Sequence, residues 1–233
     1  MISIVIPTYN ERENIRVLIP RTIAIFEENG FSGEIIVVDD GSEDGTAEEV
    51  EMLTKNYGNI RLIQRGKKMG LGSAYKTGFK AAKGDIIFEM DADLSHDPLE
   101  IPNFIKKIEE GNDLVIGSRY IKEGDIKNWS YLRILVSKTA NYMANRLLKL
   151  DINDATSGYR AYKKDILNKM DMDEIKSDGY AFQVEMVYFT RKNGFRIAEI
   201  PIIFTERRSG LSKLGYKEVF DFFKRVLELW LSF

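Results

Sequence analysis

Four strand–helix units follow one another without a break in the first half of the chain, and that order leaves few folds open. Short apolar runs at 2–6, 34–38, 60–64 and 85–90 are each followed by a helical pattern, at 12–28, 46–56, 71–83 and 98–110. A fifth run, 114–118, closes the series. Strands that alternate with helices cross over to lie parallel, and continuously apolar strands are buried on both faces. The expectation is a single Rossmann-like α/β domain, a mostly parallel sheet with helices on both faces. The second half is less regular, with helices at 132–150 and 182–193 and a strand at 196–204. No repeat or linker divides the 233 residues.

The last segment, 219–233, stands apart. Asp221, Lys224, Arg225 and Glu228 fall on one narrow helical stripe, and most of the rest is bulky and apolar. It reads either as a helix packed on the domain or as an amphipathic helix lying in a membrane interface. The expected division is a catalytic domain over 1–215 and a C-terminal helix over 216–233. The segment 132–150 mixes Arg133, Lys138, Arg146 and Lys149 with apolar residues, which suits a core helix or a surface touching anionic headgroups. Nothing resembles a cleaved leader, and no apolar run reaches about 20 residues. The folded part is therefore expected at the cytoplasmic face of a membrane, peripheral or anchored. The apolar end leaves room for a membrane-anchor segment or subunit.

Composition removes several chemistries. With no cysteine and one histidine, His96, a thiol nucleophile, a disulfide framework and a multi-histidine zinc site are all excluded. A cation here must be held by carboxylates, which selects magnesium or manganese. Basic residues number 34 and acidic residues 36, so no nucleic-acid partner is expected.

In open α/β sheets, ligands collect at the carboxyl ends of the strands. Those ends carry Pro7-Thr8-Tyr9-Asn10-Glu11, Val38-Asp39-Asp40-Gly41-Ser42, Asp91-Ala92-Asp93-Leu94-Ser95 and Gly117-Ser118-Arg119-Tyr120. No glycine-rich dinucleotide fingerprint or phosphate loop is present. Something other than a glycine cradle must neutralise phosphate. Asp91 and Asp93 leave a strand two residues apart and can share one cation that bridges a diphosphate. Asp97, before Pro98, reads as a helix cap. His96 reads as a surface residue or one standing behind the cation ligands.

With Gly70-Leu71-Gly72-Ser73-Ala74-Tyr75 and Arg207 through Leu214 added, these stretches resemble family 2 glycosyltransferases of the GT-A fold. Within that family they are similar to the dolichol-phosphate mannose synthases and archaeal polyprenyl-phosphate glycosyltransferases. The likeness runs from end to end. The Asp91–His96 block and residues 207–214 are its parts most specific to lipid-phosphate acceptors.

The resemblance implies inverting transfer of mannose from GDP-mannose to dolichyl or polyprenyl phosphate, giving a β-linked lipid-phosphate sugar. Transfer of another sugar from a UDP donor is the alternative. It also implies roles. Pro7, Tyr9, Glu11, Val38 and Asp40 line the base and ribose pocket. Asp91, Asp93 and Ser95 hold Mg2+ or Mn2+, with Ala92 beside the donor diphosphate. Asp93, Arg119 and Arg133 form the catalytic group, the arginines facing acceptor phosphate or donor. Arg207 and Lys213 clamp the diphosphate from a loop. Arg160 is a further candidate for the acceptor phosphate, and Asp154 falls in a segment carrying acceptor-side acids. A lipid phosphate needs no proton acceptor, so no carboxylate is expected to act as an essential base.

Overall fold

The computed structural model describes residues 1–206 and 216–231. Its first half repeats the strand–helix order: β1 (Ile2–Thr8), α1 (Arg12–Glu28), β2 (Gly33–Asp39), α2 (Thr46–Asn56), β3 (Ile60–Gln64), α3 (Leu71–Ala81), β4 (Ile86–Glu89), α4 (Ile101–Glu109) and β5 (Leu114–Ser118). A single tight turn, Pro98–Glu100, leads into α4, and Asp97 caps it by accepting from Leu99 N–H. Then come β6 (Asp125–Lys127), α5 (Tyr131–Leu148), β7 (Arg160–Lys163), α6 (Lys164–Lys169), α7 (Gly179–Lys192), β8 (Ile197–Pro201), β9 (Ile203–Thr205) and α8 (Tyr216–Leu231).

Seven strands form one sheet in the order β3-β2-β1-β4-β7-β5-β8, and β6 pairs with β9 apart from it. All neighbours in the large sheet are parallel except β7, which runs antiparallel between β4 and β5. The expected strand 196–204 is two strands in two sheets. The chain changes sheet at buried Ile202, whose N–H donates to Ser118 O and whose carbonyl accepts from Asp125 N–H. β6, β7 and α6 were not foreseen.

Strand alternation sends Ile4, Ile6, Ile35 and Val37 to one core, under α1, α2 and α4. Val5, Ile36 and Val38 go to the other, under α3, α5, α7 and α8. Gly78 lets α3 lie close on β1. A Cβ there would sit 2.1 Å from Val5 Cγ1.

Helix α8 packs by Phe222, Val226 and Leu229, all buried. Of its polar stripe only Arg225 turns inward: its Nε donates to Oε1 of Glu185 on α7 at 2.7 Å, and Glu185 is fully buried, while Asp221, Lys224 and Glu228 stay exposed. Large apolar side chains are also exposed, with Phe220 68%, Leu227 49%, Trp230 44% and Leu231 71% open. Tyr131, Leu132, Leu135, Tyr142 and Met143 of α5 are exposed as well.

Alanine is the better helix former by about 1 kcal/mol, yet Gly78→Ala is expected to destabilise by about 1–3 kcal/mol through overpacking on Val5. A urea unfolding midpoint equal to or above that of the parent would refute the close contact.

Candidate active site

The acidic turn after β4 is rigidly held. Tyr75 Oη donates to Asp91 Oδ1 at 2.9 Å, and the Asp91 N–H donates to His96 Nδ1 at 3.0 Å. Asp93 Oδ1 accepts from the Ser95 N–H at 3.1 Å and from the Ser95 hydroxyl. Leu94, with φ of 64°, turns the chain back between them. His96 is buried, not at the surface, and stacks on Tyr159 with ring centroids 4.8 Å apart. Burial lowers its pKa, only partly opposed by Asp91 and Asp93, so the ring is neutral at pH 7. Since Nδ1 accepts, the proton sits on Nε2, 3.9 Å from Asp91 Oδ2.

A cleft of about 460 Å³ opens over this turn, lined by Asp91, Asp93, His96, Arg119, Trp129, Arg133, Thr156, Ser157, Gly158, Tyr180, Phe204 and Glu206. It brings together four expected residues: Asp91, Asp93, Arg119 and Arg133. Arg119 is tightly engaged. Its Nε and Nη2 donate to Asp154 at 2.7 and 2.6 Å, and Nη2 also reaches Thr156 Oγ1 at 2.8 Å. Burial would raise the Asp154 pKa, but the charge and hydrogen bonds of Arg119 outweigh it and hold it below the usual value. Asp154 thus fixes an arginine and is not poised to take a proton. Arg133 Nη1 donates to Glu206 Oε1 at 2.5 Å.

Below the floor lies Glu89, wholly buried, accepting from Tyr162 Oη at 2.8 Å and Gln183 Nε2 at 2.7 Å. Burial raises its pKa to about 7, more than nearby Arg160 lowers it. Arg160 is not a phosphate ligand. It is fully buried, and it donates to the carbonyls of Ala155, Ser157 and Gln183.

The residues expected around the base lie at the ends of β1 and β2, where Pro7 and Val38 are register neighbours. Val38 is wholly buried in the core. Asp40 is tied down: Oδ1 accepts from Arg65 Nε at 2.6 Å and Oδ2 from the Met69 N–H at 3.0 Å. Lys68 lies 4.6 Å from the Tyr9 ring centre. The Glu11 N–H donates to Thr46 Oγ1 at 3.0 Å. Asp39 staples its own turn, accepting from Thr8, Gly41 and Ser42. Arg207 and Lys213 lie outside the described residues. Trp129, Thr156, Tyr180 and Glu206 were missed in the sequence. Only the scarcity of tryptophan, two in the chain, set one of them apart.

Among the described residues, no cluster of three or more acidic or histidine side chains is arranged to hold a cation. Asp91 and Asp93 supply oxygen ligands only, which fits Mg2+ or Mn2+ completed by diphosphate oxygens and water. Ala92 is buried between them. The Ser95 hydroxyl donates to Asp93, so it orients that carboxylate from one side.

A mostly parallel sheet with a paired-aspartate turn at its carboxyl edge is the GT-A architecture of glycosyltransferases. The chain belongs to Glycosyl transferase family 2, whose profile matches residues 3–171. It is 40% identical over 229 residues to the polyprenol monophosphomannose synthase of Mycolicibacterium smegmatis, covering 97% of this chain and 85% of that one. It is 38% identical over 230 residues to the dolichol-phosphate mannosyltransferase of Pyrococcus furiosus, covering 98% of this chain and 63% of that longer protein. In fold it is similar to glucosyl-3-phosphoglycerate synthase of Mycobacterium tuberculosis, solved with Mn2+, UDP and phosphoglyceric acid. The TM-score there is 0.73 at 22% identity, over 100% of this chain and 78% of that one.

Tyr75→Phe keeps the ring stacked on Phe182 and removes only the donor to Asp91. Mn2+ affinity measured calorimetrically with a nucleoside diphosphate present is expected to fall about 10-fold; unchanged affinity would count against this bond as an orienting contact. Glu89 supplies a pH test. Its pKa rises from an ordinary 4.5 to about 7 on folding, so the unfolded chain ionises first and stability falls as pH climbs between those values. Glu89→Gln is therefore expected to gain on the parent across that window, at up to about 1.4 kcal/mol per pH unit. A constant difference in unfolding free energy would show Glu89 to be ionised when folded.

Proposed function

We propose that this enzyme transfers mannose from GDP-mannose to a dolichyl or polyprenyl phosphate with inversion, releasing GDP and a β-linked lipid-phosphate mannose. One observation carries the acceptor class. The acidic cleft shares Trp129, Arg133, Thr156 and Tyr180 with a second, apolar cavity of about 490 Å³ between α5 and α8. That second cavity is walled by Val136, Ala140, Val219, Phe222 and Phe223. An acceptor with a phosphate head and a hydrocarbon tail matches this pair of spaces, and a sugar hydroxyl does not. The names of the two relatives, a polyprenol monophosphomannose synthase and a dolichol-phosphate mannosyltransferase, support the same acceptor and the same sugar.

In the mechanism we infer, Asp91 and Asp93 hold the donor diphosphate through a divalent cation, which when bound stabilises charge on the leaving GDP. Pro7, Tyr9 and Glu11 bound the nucleoside end. Arg119 and Arg133 orient the acceptor phosphate, and Asp154 holds the Arg119 fork in place. An acceptor oxygen bonds to the anomeric carbon as the bond from that carbon to the diphosphate breaks. A phosphate monoester has a second pKa of about 6, so it attacks as a dianion and gives up no proton. Engagement of Asp154 with Arg119 agrees with the lack of a required base. Arg207 and Lys213 are assigned to the diphosphate on resemblance alone.

The outward apolar residues of α5 and α8, with exposed Lys138, Arg146 and Lys149, form the surface we assign to the membrane interface. In this reading residues 216–233 are the membrane-facing helix of a catalytic domain spanning 1–215. Among the described residues, no helix is long and apolar enough to cross a bilayer.

The test is sugar transfer to a short polyprenyl phosphate, GDP-mannose and UDP-glucose side by side, with Mn2+ or with chelator. Metal-dependent transfer from GDP-mannose is expected. Transfer from UDP-glucose alone would replace the donor and keep the acceptor. Asp93→Asn is expected to lower kcat at least 100-fold, the order of loss for removing electrostatic support from a leaving group. Asp154→Asn should lower activity without deleting an acidic limb from the pH–rate profile; loss of that limb would make Asp154 a base.

A further inference from the structure

Two adjacent donors in the wall between the cavities have no acceptor: Trp129 Nε1 and Arg133 Nε are both covered and unpartnered among the described residues. A covered N–H without a partner is costly and calls for an explanation. The surroundings of Trp129 point to one. The Arg133 guanidinium lies 3.9 Å from its ring centre and that of Arg119 lies 5.4 Å from it, so the indole is in contact with both cations. Phe204 meets it edge-on, with centroids 5.4 Å apart. The same ring borders the polar cleft and the apolar cavity.

Among the described residues, the one carboxylate paired with Arg133 is that of Glu206. Its carboxylate takes Nη1, and its side chain is 33% exposed against 17% for Arg133. A carboxylate and a phosphate present the same oxygens to a guanidinium. Glu206 therefore fills on Arg133 the place a phosphate would take, and it reaches neither Nε of Arg133 nor the indole N–H.

We propose that Trp129 is an acceptor-binding residue. Its indole N–H donates to an oxygen of the lipid phosphate, in a seat on Arg133 that the Glu206 carboxylate fills until the acceptor displaces it. The indole marks the point where phosphate gives way to hydrocarbon, a neutral donor on one side and an apolar ring on the other. This rests on the lipid-phosphate reading above.

The experiment uses the full chain. Trp129→Phe retains a six-membered aromatic ring and loses the N–H together with the pyrrole half of the indole. Its KM for a short polyprenyl phosphate is expected to rise about 10-fold, with kcat and the KM for donor within about 2-fold of the parent, the loss of one hydrogen bond to a charged group. Glu206→Gln is expected to lower the acceptor KM, because a neutral amide competes less well for Arg133. In the Trp230→Phe background Trp129 is the sole tryptophan, and its emission should change on adding polyprenyl phosphate. Neither the matching polyprenol nor inorganic phosphate at equal concentration should reproduce that change. The background protein answers for Trp129 even if Trp129→Phe fails to fold. An unchanged acceptor KM in Trp129→Phe, or emission that follows polyprenol as well as its phosphate, overturns the inference. A response to inorganic phosphate alone assigns the seat to free anion and overturns it too. A parent enzyme with no transfer to polyprenyl phosphate overturns the acceptor reading itself, which separates the two failures.

Discussion

Arg160 is a fully buried cation that donates to three main-chain carbonyls, and the catalytic floor depends on it. Burying a charge is expensive unless it is compensated. The carbonyls of Ala155, Ser157 and Gln183 supply hydrogen bonds, and Glu89, its register neighbour across the β4–β7 pair, adds opposite charge only when it ionises, near pH 7. The result is geometric. Arg160 draws the 155–157 loop, which carries Thr156 and Ser157 of the cleft wall, onto the same hub as the start of α7. Tyr162 and Gln183 then tie Glu89 to β7 and α7. Asp91 therefore leaves β4 from a strand end anchored on two sides.

That hub also explains the antiparallel strand. A parallel sheet that ended at β5 would place Arg119 beside β4 with nothing between them. Inserting β7 separates the acidic turn from the arginine by a strand's width and brings Asp154, just ahead of it, against Arg119. Acid and base in this site are thus spaced by sheet topology, and each is held by a partner from a different element.

The first five strands and four helices were legible because local pattern and burial agree there: the strands are short apolar runs, most of them buried on both faces, and each helix shows one apolar stripe. The acidic turn was legible because topology puts strand ends at ligands. What escaped was non-local. β7 holds Arg160, Tyr162 and Lys163, and nothing in four such residues announces a central strand; only its pairing with β4 and β5 does. The role of Arg160 was misjudged for the same reason, since a surface phosphate ligand and a buried carbonyl clamp look alike in sequence. Trp129 and Glu206 gained meaning from two segments far apart in the chain meeting at Arg133. Asp40, expected at a ligand, instead anchors the 65–70 loop, because Arg65 lies across the strand end from it.

Glu185 joins the outer helix to the interior by more than one bond. It accepts Arg225 from α8 on one side and the main-chain N–H groups of Lys176 and Ser177 on the other. The next residue, Asp178, accepts the Gly72 N–H in the first turn of α3, at 2.7 Å. A short chain of hydrogen bonds therefore joins the outer helix to the first turn of α3, so two helices that each pack on α7 are fastened through one short segment, 176–178.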